Sequence, residues 1–293
     1  MFVRPLVAAI AFFAAVGVAR ANVSIKFDGS KVHLKSDDTA HVVVVEGVGR
    51  FGECVVYVDG VPKATLDGAR DLRIDLGDGD DKLLVNGLQI GGSLKIRTGA
   101  GSDVVLIQSD RTFETAKRAV FVGKDVDVAL GGQPKDQCAV EADDTLFGIT
   151  IGGTLTVRDA TDLNMEAAGV VADDAAGVIT IGGDLVLRQK SSSDANGDDR
   201  TTHLDGVRVG GATKLELSAD ADFVSIRGCA FARSFKAKLG GGNDQLAISP
   251  SSESSSFHGA VDISGGSGSE ALVILVGADF AVPPTIVQFE ITG

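Results

Sequence analysis

One phrase recurs along the chain and restricts its fold more than any other feature. It reads LQIGGSLKI at 88–96, VFVGKDVDV at 120–128, ITIGGTLTV at 149–157, ITIGGDLVL at 179–187 and VRVGGATKLEL at 207–217. Looser copies are LRIDL (72–76), FKAKL (235–239) and FHGAVDI (257–263). Each full copy joins two short apolar–polar alternations through a glycine step. Alternation with a period of two is a strand signal, and the β-branched residues here reinforce it. Positions equivalent to Ile74 return at Ile96, Val128, Val157, Leu187, Leu215, Ala237 and Ile263, at spacings from 22 to 32 residues. Units of that length built only from short strands predict an all-β fold, a right-handed parallel β-helix (solenoid) of about eight coils. Equivalent positions then stack about 4.8 Å apart. Leu94, Val126, Leu155 and Leu185 form one inward column on this reading, and Ile96, Val128, Val157 and Leu187 the next. The Gly-Gly step marks a corner where either a positive φ is needed or a Cβ would block the next coil.

The ends read differently. Residues 1–21 carry an early positive charge (Arg4), an apolar run from Leu6 to Val18, and Ala19 and Ala21 around Arg20. That is the pattern of a cleaved signal peptide. A membrane anchor is the alternative, but the run falls short of the roughly 20 residues that span a bilayer. No later stretch is apolar enough to cross, so no transmembrane segment is expected after signal cleavage. Residues 22–65 contain FDGSK and VDGV, where Asp-Gly reads as a hairpin turn. They are expected to form an antiparallel β cap over the N-terminal end, where exposed strands would otherwise pair with other molecules. The helix proper is placed at 66–279, and 280–293 closes the C-terminal end, its Pro pair blocking further strand addition. Insertions are expected after the second strand of the repeat, the longest being RQKSSSDANGDDRTTHLDG at 188–206.

The net charge of −13 argues against nucleic acid and anionic membranes, which need clustered Lys and Arg. It suits bound cations, and it suits solubility alone. Cys54, Cys138 and Cys229 lie far apart and outside any metal or redox spacing. They are read as small buried apolar residues in preference to one disulfide and a spare thiol. His33 and His41 flank a turn and could face one another across a hairpin; His203 and His258 lie in separate segments.

The turns between strands carry acid. GDGDDKL (77–83), GAGSDVV (99–105) and GGGNDQL (240–246) fit G-x-G-x-D-x-apolar; GSGSEAL (266–272) fits with Glu, and SADADFV (218–224) is a degenerate copy. These turns resemble the hemolysin-type, or RTX, calcium repeat, and the chain as a whole resembles bacterial secreted β-helix repeat proteins with such turns. The resemblance implies Ca²⁺ held by Asp81, Asp103, Asp244, Glu270 and Asp222 together with turn carbonyls, chemistry that suits a hard cation. RTX turns recur every nine residues, whereas the closest pair here, Gly77 and Gly99, is 22 apart. A tandem β-roll is therefore excluded, and only neighbouring coils could share an ion: Asp81 with Asp103, and Asp244 with Glu270. The competing reading is that each Asp accepts backbone N–H groups of its own loop.

Catalytic patterns are thin. The position after each second strand carries Asp75, Arg97, Ala129, Arg158, Arg188, Glu216, Lys238 and Ser264. Opposite charges on adjacent strands attract modestly, so this row reads as a solvated ion-pair ladder. In the sharper alternative, Arg158 and Arg188 grip an anionic sugar. The chain has no Trp and one Tyr (Tyr57), which weakens carbohydrate recognition through aromatic faces. The expectation is an exported protein (secreted, cell-surface or periplasmic), non-catalytic, structural or adhesive. Its partner would be a cell-surface or extracellular polysaccharide or protein, and the alternative is a β-helix lyase or hydrolase acting on acidic polysaccharide.

Overall fold

The computed structural model describes residues 23–109, 118–133, 135–142, 147–167, 178–189, 200–249, 254–268, 271–274 and 278–288. Residues 1–21, which the sequence reads as a signal peptide, the stretch 190–199 and Glu270 lie outside them. The described chain is all-β, with sheets of eleven, eleven and eight strands. Each coil places one strand in each sheet, and the repeat seen in the sequence is one lap. In the first full lap, Asp71–Asp75 lies in the first sheet, Lys82–Asn86 in the second and Gln89–Ile90 in the third. Leu94–Arg97 then returns to the first sheet, directly beside Asp71–Asp75. Eight complete three-strand laps occur among the described residues, ending with Val261–Ser267, Ala271–Ile274 and Ala278–Phe280.

Pairing between laps is parallel, and its register is the one the repeat implies. Ile74, Ile96, Val128, Val157, Leu187, Leu215, Ala237 and Ile263 form one unbroken column in the first sheet. Leu34 extends it at one end and Ile286 at the other. A one-residue slip would turn every such side chain outward, so burial of these columns fixes the register. Each buried Leu, Ile or Val stabilises by roughly 1.5–3 kcal/mol. Toward the C-terminal end the filling becomes aromatic. Phe231, Phe257 and Phe280 stack in register in the third sheet with centroids 4.9 Å apart, and Phe235 meets the first two edge-on. Ala237, the smallest member of its column, lies in this lap.

Antiparallel pairs occur at the N-terminal end. Ser24–Asp28 pairs with Lys31–Lys35, and Val42–Gly47, Cys54–Val58 and Val61–Leu66 form a meander. Two of these strands already belong to the coil, because Lys31–Lys35 and Val42–Gly47 also pair in parallel with the first full lap. At the other end, parallel pairing continues past Phe280 to Thr285–Val287, beyond the Pro pair. The length of the connections varies most between the second and third sheets. Residues 87–88 make that step in one lap, whereas 110–119, 143–148 and 168–178 make it in the next three. The three cysteines are free and buried, and burial pushes each thiol up to about 12.

The Gly-Gly corner, between the third and first sheets, is glycine for lack of room. A Cβ on Gly183 would stand 2.7 Å from the Gly153 carbonyl carbon one lap below, although Gly183 has no positive φ. Of the two reasons offered by the sequence, close approach is the one at work here.

Candidate functional site at the acidic corner

The acidic turns join the first sheet to the second. Their glycines meet the other requirement: Gly77, Gly99 and Gly240 have φ of 83°, 89° and 100°. The residue that ends each turn stands at the start of a second-sheet strand or one place before it. The register of those strands therefore sets these residues in a single column. In order it runs His41, Asp81, Asp103, Asp136, Thr161, Arg200, Asp222 and Asp244. Glu270 lies outside the described residues. Among the sequence-derived residues, the column thus brings Asp81 next to Asp103 and Asp222 next to Asp244. Asp136, His41 and Arg200 are additions that the G-x-G-x-D pattern does not mark.

Every one of these carboxylates is buried. What they hold first is backbone. Asp81 Oδ1 accepts the N–H of His41 (2.7 Å), Asp103 Oδ1 that of Asp81 (2.9 Å), and Asp136 Oδ1 that of Asp103 (2.9 Å). Asp244 Oδ1 accepts the N–H of Asp222 at 2.9 Å. The expected acceptance from the residue's own loop occurs at Asp136, whose Oδ2 takes the Gln133 N–H at 2.7 Å. At Asp81, Asp103 and Asp244 the donor belongs to the preceding lap, whereas Asp222 Oδ2 takes the hydroxyl of Ser218 in its own turn at 3.4 Å. The second oxygens of Asp81 and Asp103, and Oδ1 of Asp222, are buried and accept no hydrogen bond among the described residues.

Like charges stacked this closely resist ionisation. Two carboxylates about 5 Å apart repel by roughly 3 kcal/mol at an effective dielectric near 20. Burial, followed by the neighbouring Asp103 and Asp80 charges, pushes Asp81 up to about 7 against the help of the His41 N–H. Burial likewise raises Asp136 to about 6 and, with Asp244, Asp222 to about 7. Asp103 is raised by burial too, with the Thr98 hydroxyl opposing.

The two halves of the column differ in what balances this charge. In the C-terminal half, the buried Arg200 guanidinium lies 3.0 Å from Asp220 and favours ionised Asp222. In the N-terminal half the balancing group is His41, at the end of the row. Its ring nitrogens meet Asp37 at 2.8 Å and Asp59 at 3.2 Å. Burial works against the charged imidazole, but the bonds to Asp37 and Asp59 outweigh it and raise the His41 pKa. His33 does not face His41; it lies on the outer face of the first sheet, 2.7 Å from Asp75.

For a cation, the Asp81–Asp103 pair supplies two buried oxygens without hydrogen bonds and an excess of negative charge. No group of three or more His, Cys, Asp or Glu side chains gathers as a metal site among the described residues. An ion at this corner would therefore draw most of its oxygens from the turn carbonyls.

The row of charges after the second strand of the repeat is also in place. Asp75, Arg97, Ala129, Arg158, Arg188, Glu216, Lys238 and Ser264 are in register on the outer face of the first sheet. Arg158 is held by Asp127 at 2.5 Å and Arg188 by Glu216 at 2.9 Å. Lys214 adds a second contact to Glu216 at 2.6 Å. Comparison with protein-family models, curated proteins and solved structures finds no match to this chain. Among the described residues, no helix is long and apolar enough to cross a membrane.

Proposed function

We propose that the chain is an exported, non-catalytic β-solenoid with a structural or surface-binding role. In this reading calcium stiffens its N-terminal acidic corner at Asp81 and Asp103. The observation that carries the non-catalytic reading is the state of the arginines. Arg158 and Arg188 are each bound to a carboxylate on the same flat face, so neither is presented to a substrate. The calcium part rests on the two buried oxygens and on the absence of an Arg or Lys from the column between His41 and Thr161. Arg200 already supplies a positive charge to the C-terminal half, so Asp222 and Asp244 have less need of an ion.

Two measurements test this. Incubation with acidic polysaccharides should yield no new chain ends; shortened products would replace the reading with that of a lyase or hydrolase. Thermal melts at pH 8 should rise with millimolar Ca²⁺ and fall back with chelator, since a ligand bound only by the folded state raises its stability. Asp103→Asn should remove most of that rise, and Asp244→Asn should leave most of it. A melt that ignores calcium leaves the acidic turns as backbone clamps only.

A further inference from the structure

The strongest unassigned feature is a groove on the outer face of the first sheet, over its N-terminal strands. It has a volume of about 560 Å³ and runs across the strands, along the axis of the coil. Its shape follows from strand alternation. Two rows of outward side chains stand on either side of a row whose side chains point into the core. Val32, Leu72 and Leu94 are that middle row, so the floor is their backbone.

One wall is cationic over four strands, Lys26, His33, Arg73 and Lys95 following one another, and ends at Asp127, which Arg158 already holds at 2.5 Å. The next outward row beside it holds Lys35, Asp75 and Arg97. Within these two rows Asp75 is the one carboxylate across the first four strands, and it is already taken by Arg73 at 2.8 Å and His33 at 2.7 Å. Lys26, Lys35, Lys95 and Arg97 are exposed and form no ion pair among the described residues. The opposite wall carries Lys31 with Asp28, Asp71 and Asp125. Two of those carboxylates are turned to the backbone, Asp71 accepting the Ser93 N–H at 2.9 Å and Asp125 that of Thr154 at 2.8 Å. A protein of net charge −13 thus gathers unpaired cations along one side of a straight groove.

We propose that this groove binds an anionic polysaccharide, its carboxylate or sulfate groups lying against Lys26 and Lys95 in the wall, with Lys35 and Arg97 in the next row just beyond that wall. The proposal rests on the surface-binding reading above and names its ligand. A linear polymer suits a groove that is open along the coil axis. Single-stranded nucleic acid suits it less, because the groove is lined by no Trp, Tyr or Phe on which successive bases would stack. A membrane suits it less, because no exposed apolar residue lines it.

The test is titration of the whole protein, in chelator and low salt, with polygalacturonate, dextran sulfate, uncharged dextran and double-stranded DNA. Binding to a charged glycan, absent with dextran and lost as salt is raised, is the expected result. The double variant Lys95→Glu, Arg97→Glu should weaken it about tenfold or more, as removal of directly facing charges does. Lys238→Glu makes the same kind of change at the far end of the same sheet and should alter it no more than about twofold. Preference for polygalacturonate or for dextran sulfate assigns the anion as carboxylate or sulfate. No binding to either glycan, equal loss in the Lys238 variant, or tighter binding of DNA would overturn the proposal. Cleavage of a bound glycan would instead overturn the non-catalytic reading and leave the groove standing.

Discussion

The two glycine-rich corners of the coil solve the same packing problem in opposite ways. At the Gly-Gly corner the backbone conformation is ordinary and glycine is needed because successive laps touch. At the acidic corner glycine supplies φ values near +90° and also gives way to the lap below. The carboxylates of the Gly-Gly corner and the inward carboxylates of the acidic corner point in opposite senses along the axis, while the outward Asp78 and Asp80 of the acidic corner accept the Ala100 and Ser102 N–H groups of the following lap. Asp71, Asp125 and Asp184 at the Gly-Gly corner each accept an N–H from the following lap, through Ser93, Thr154 and Ala212. Asp81, Asp103 and Asp136 accept from the preceding one and are sealed from water. A solvated carboxylate can cap a backbone group at no electrostatic cost, whereas a buried row accumulates charge that must be neutralised. The same kind of hydrogen bond therefore leaves one row of carboxylates solvated and gives the other raised pKa values.

The largest effect that would break this contrast is at Gly99. A Cβ there would stand 1.8 Å from the Gly77 carbonyl oxygen at a φ of 89°. Gly99→Ala should cost about 3 kcal/mol or more, combining strain with overlap. Gly183→Ala meets overlap alone and should cost about 1–3 kcal/mol. Urea unfolding that ranks them the other way would remove the distinction. Next comes Asp103→Ala, which orphans the buried Asp81 N–H and should cost about 1–3 kcal/mol. Asp184→Ala, at an exposed site, should cost less than half as much, and Asp103→Asn should recover most of the loss by keeping an acceptor without charge.

The pH dependence sharpens the same comparison. Asp81, Asp136 and Asp222 hold protons in the folded state up to about 7, 6 and 7, above the carboxylates of an unfolded chain. Their protonation therefore stabilises the fold fully below about pH 4 and loses that contribution as the pH rises through 6 to 7. In chelator, the urea midpoint should be higher at pH 5 than at pH 8, and Asp81→Asn should flatten the difference. The smallest effect is expected on the outer face. Glu216 is held below the usual carboxylate range by Lys214 and Arg188, but the site is open to solvent. Arg188→Ala should change stability by less than about 1 kcal/mol.

The columns of the core were legible because strand alternation and the Gly-Gly step punctuate every lap at the same two places. The charge row was legible for the same reason, down to Arg188 beside Glu216. The capping of one lap by the next was not, because its donor lies 22 residues or more away along the chain and no local pattern marks it. Asp136 escaped because its turn, GGQPKD, lengthens the G-x-G-x-D spacing. Arg200 lies inside the long 188–206 stretch, and His41 lies in what reads as a separate cap. Their places in the column follow from strand pairing alone. The boundary of the cap was drawn from hairpin signals, which are real, but a strand can close a hairpin on one edge and begin the coil on the other.

The opposed sense of the two sets of carboxylates also bears on how such a chain is completed during synthesis. Lap by lap, the outward carboxylates wait with an empty acceptor, while the inward column beside them waits with an unclaimed backbone donor. The next stretch to emerge supplies both complements at once. Growth from the N-terminus would then proceed like a ratchet, each addition sealing what came before and leaving a fresh template above it.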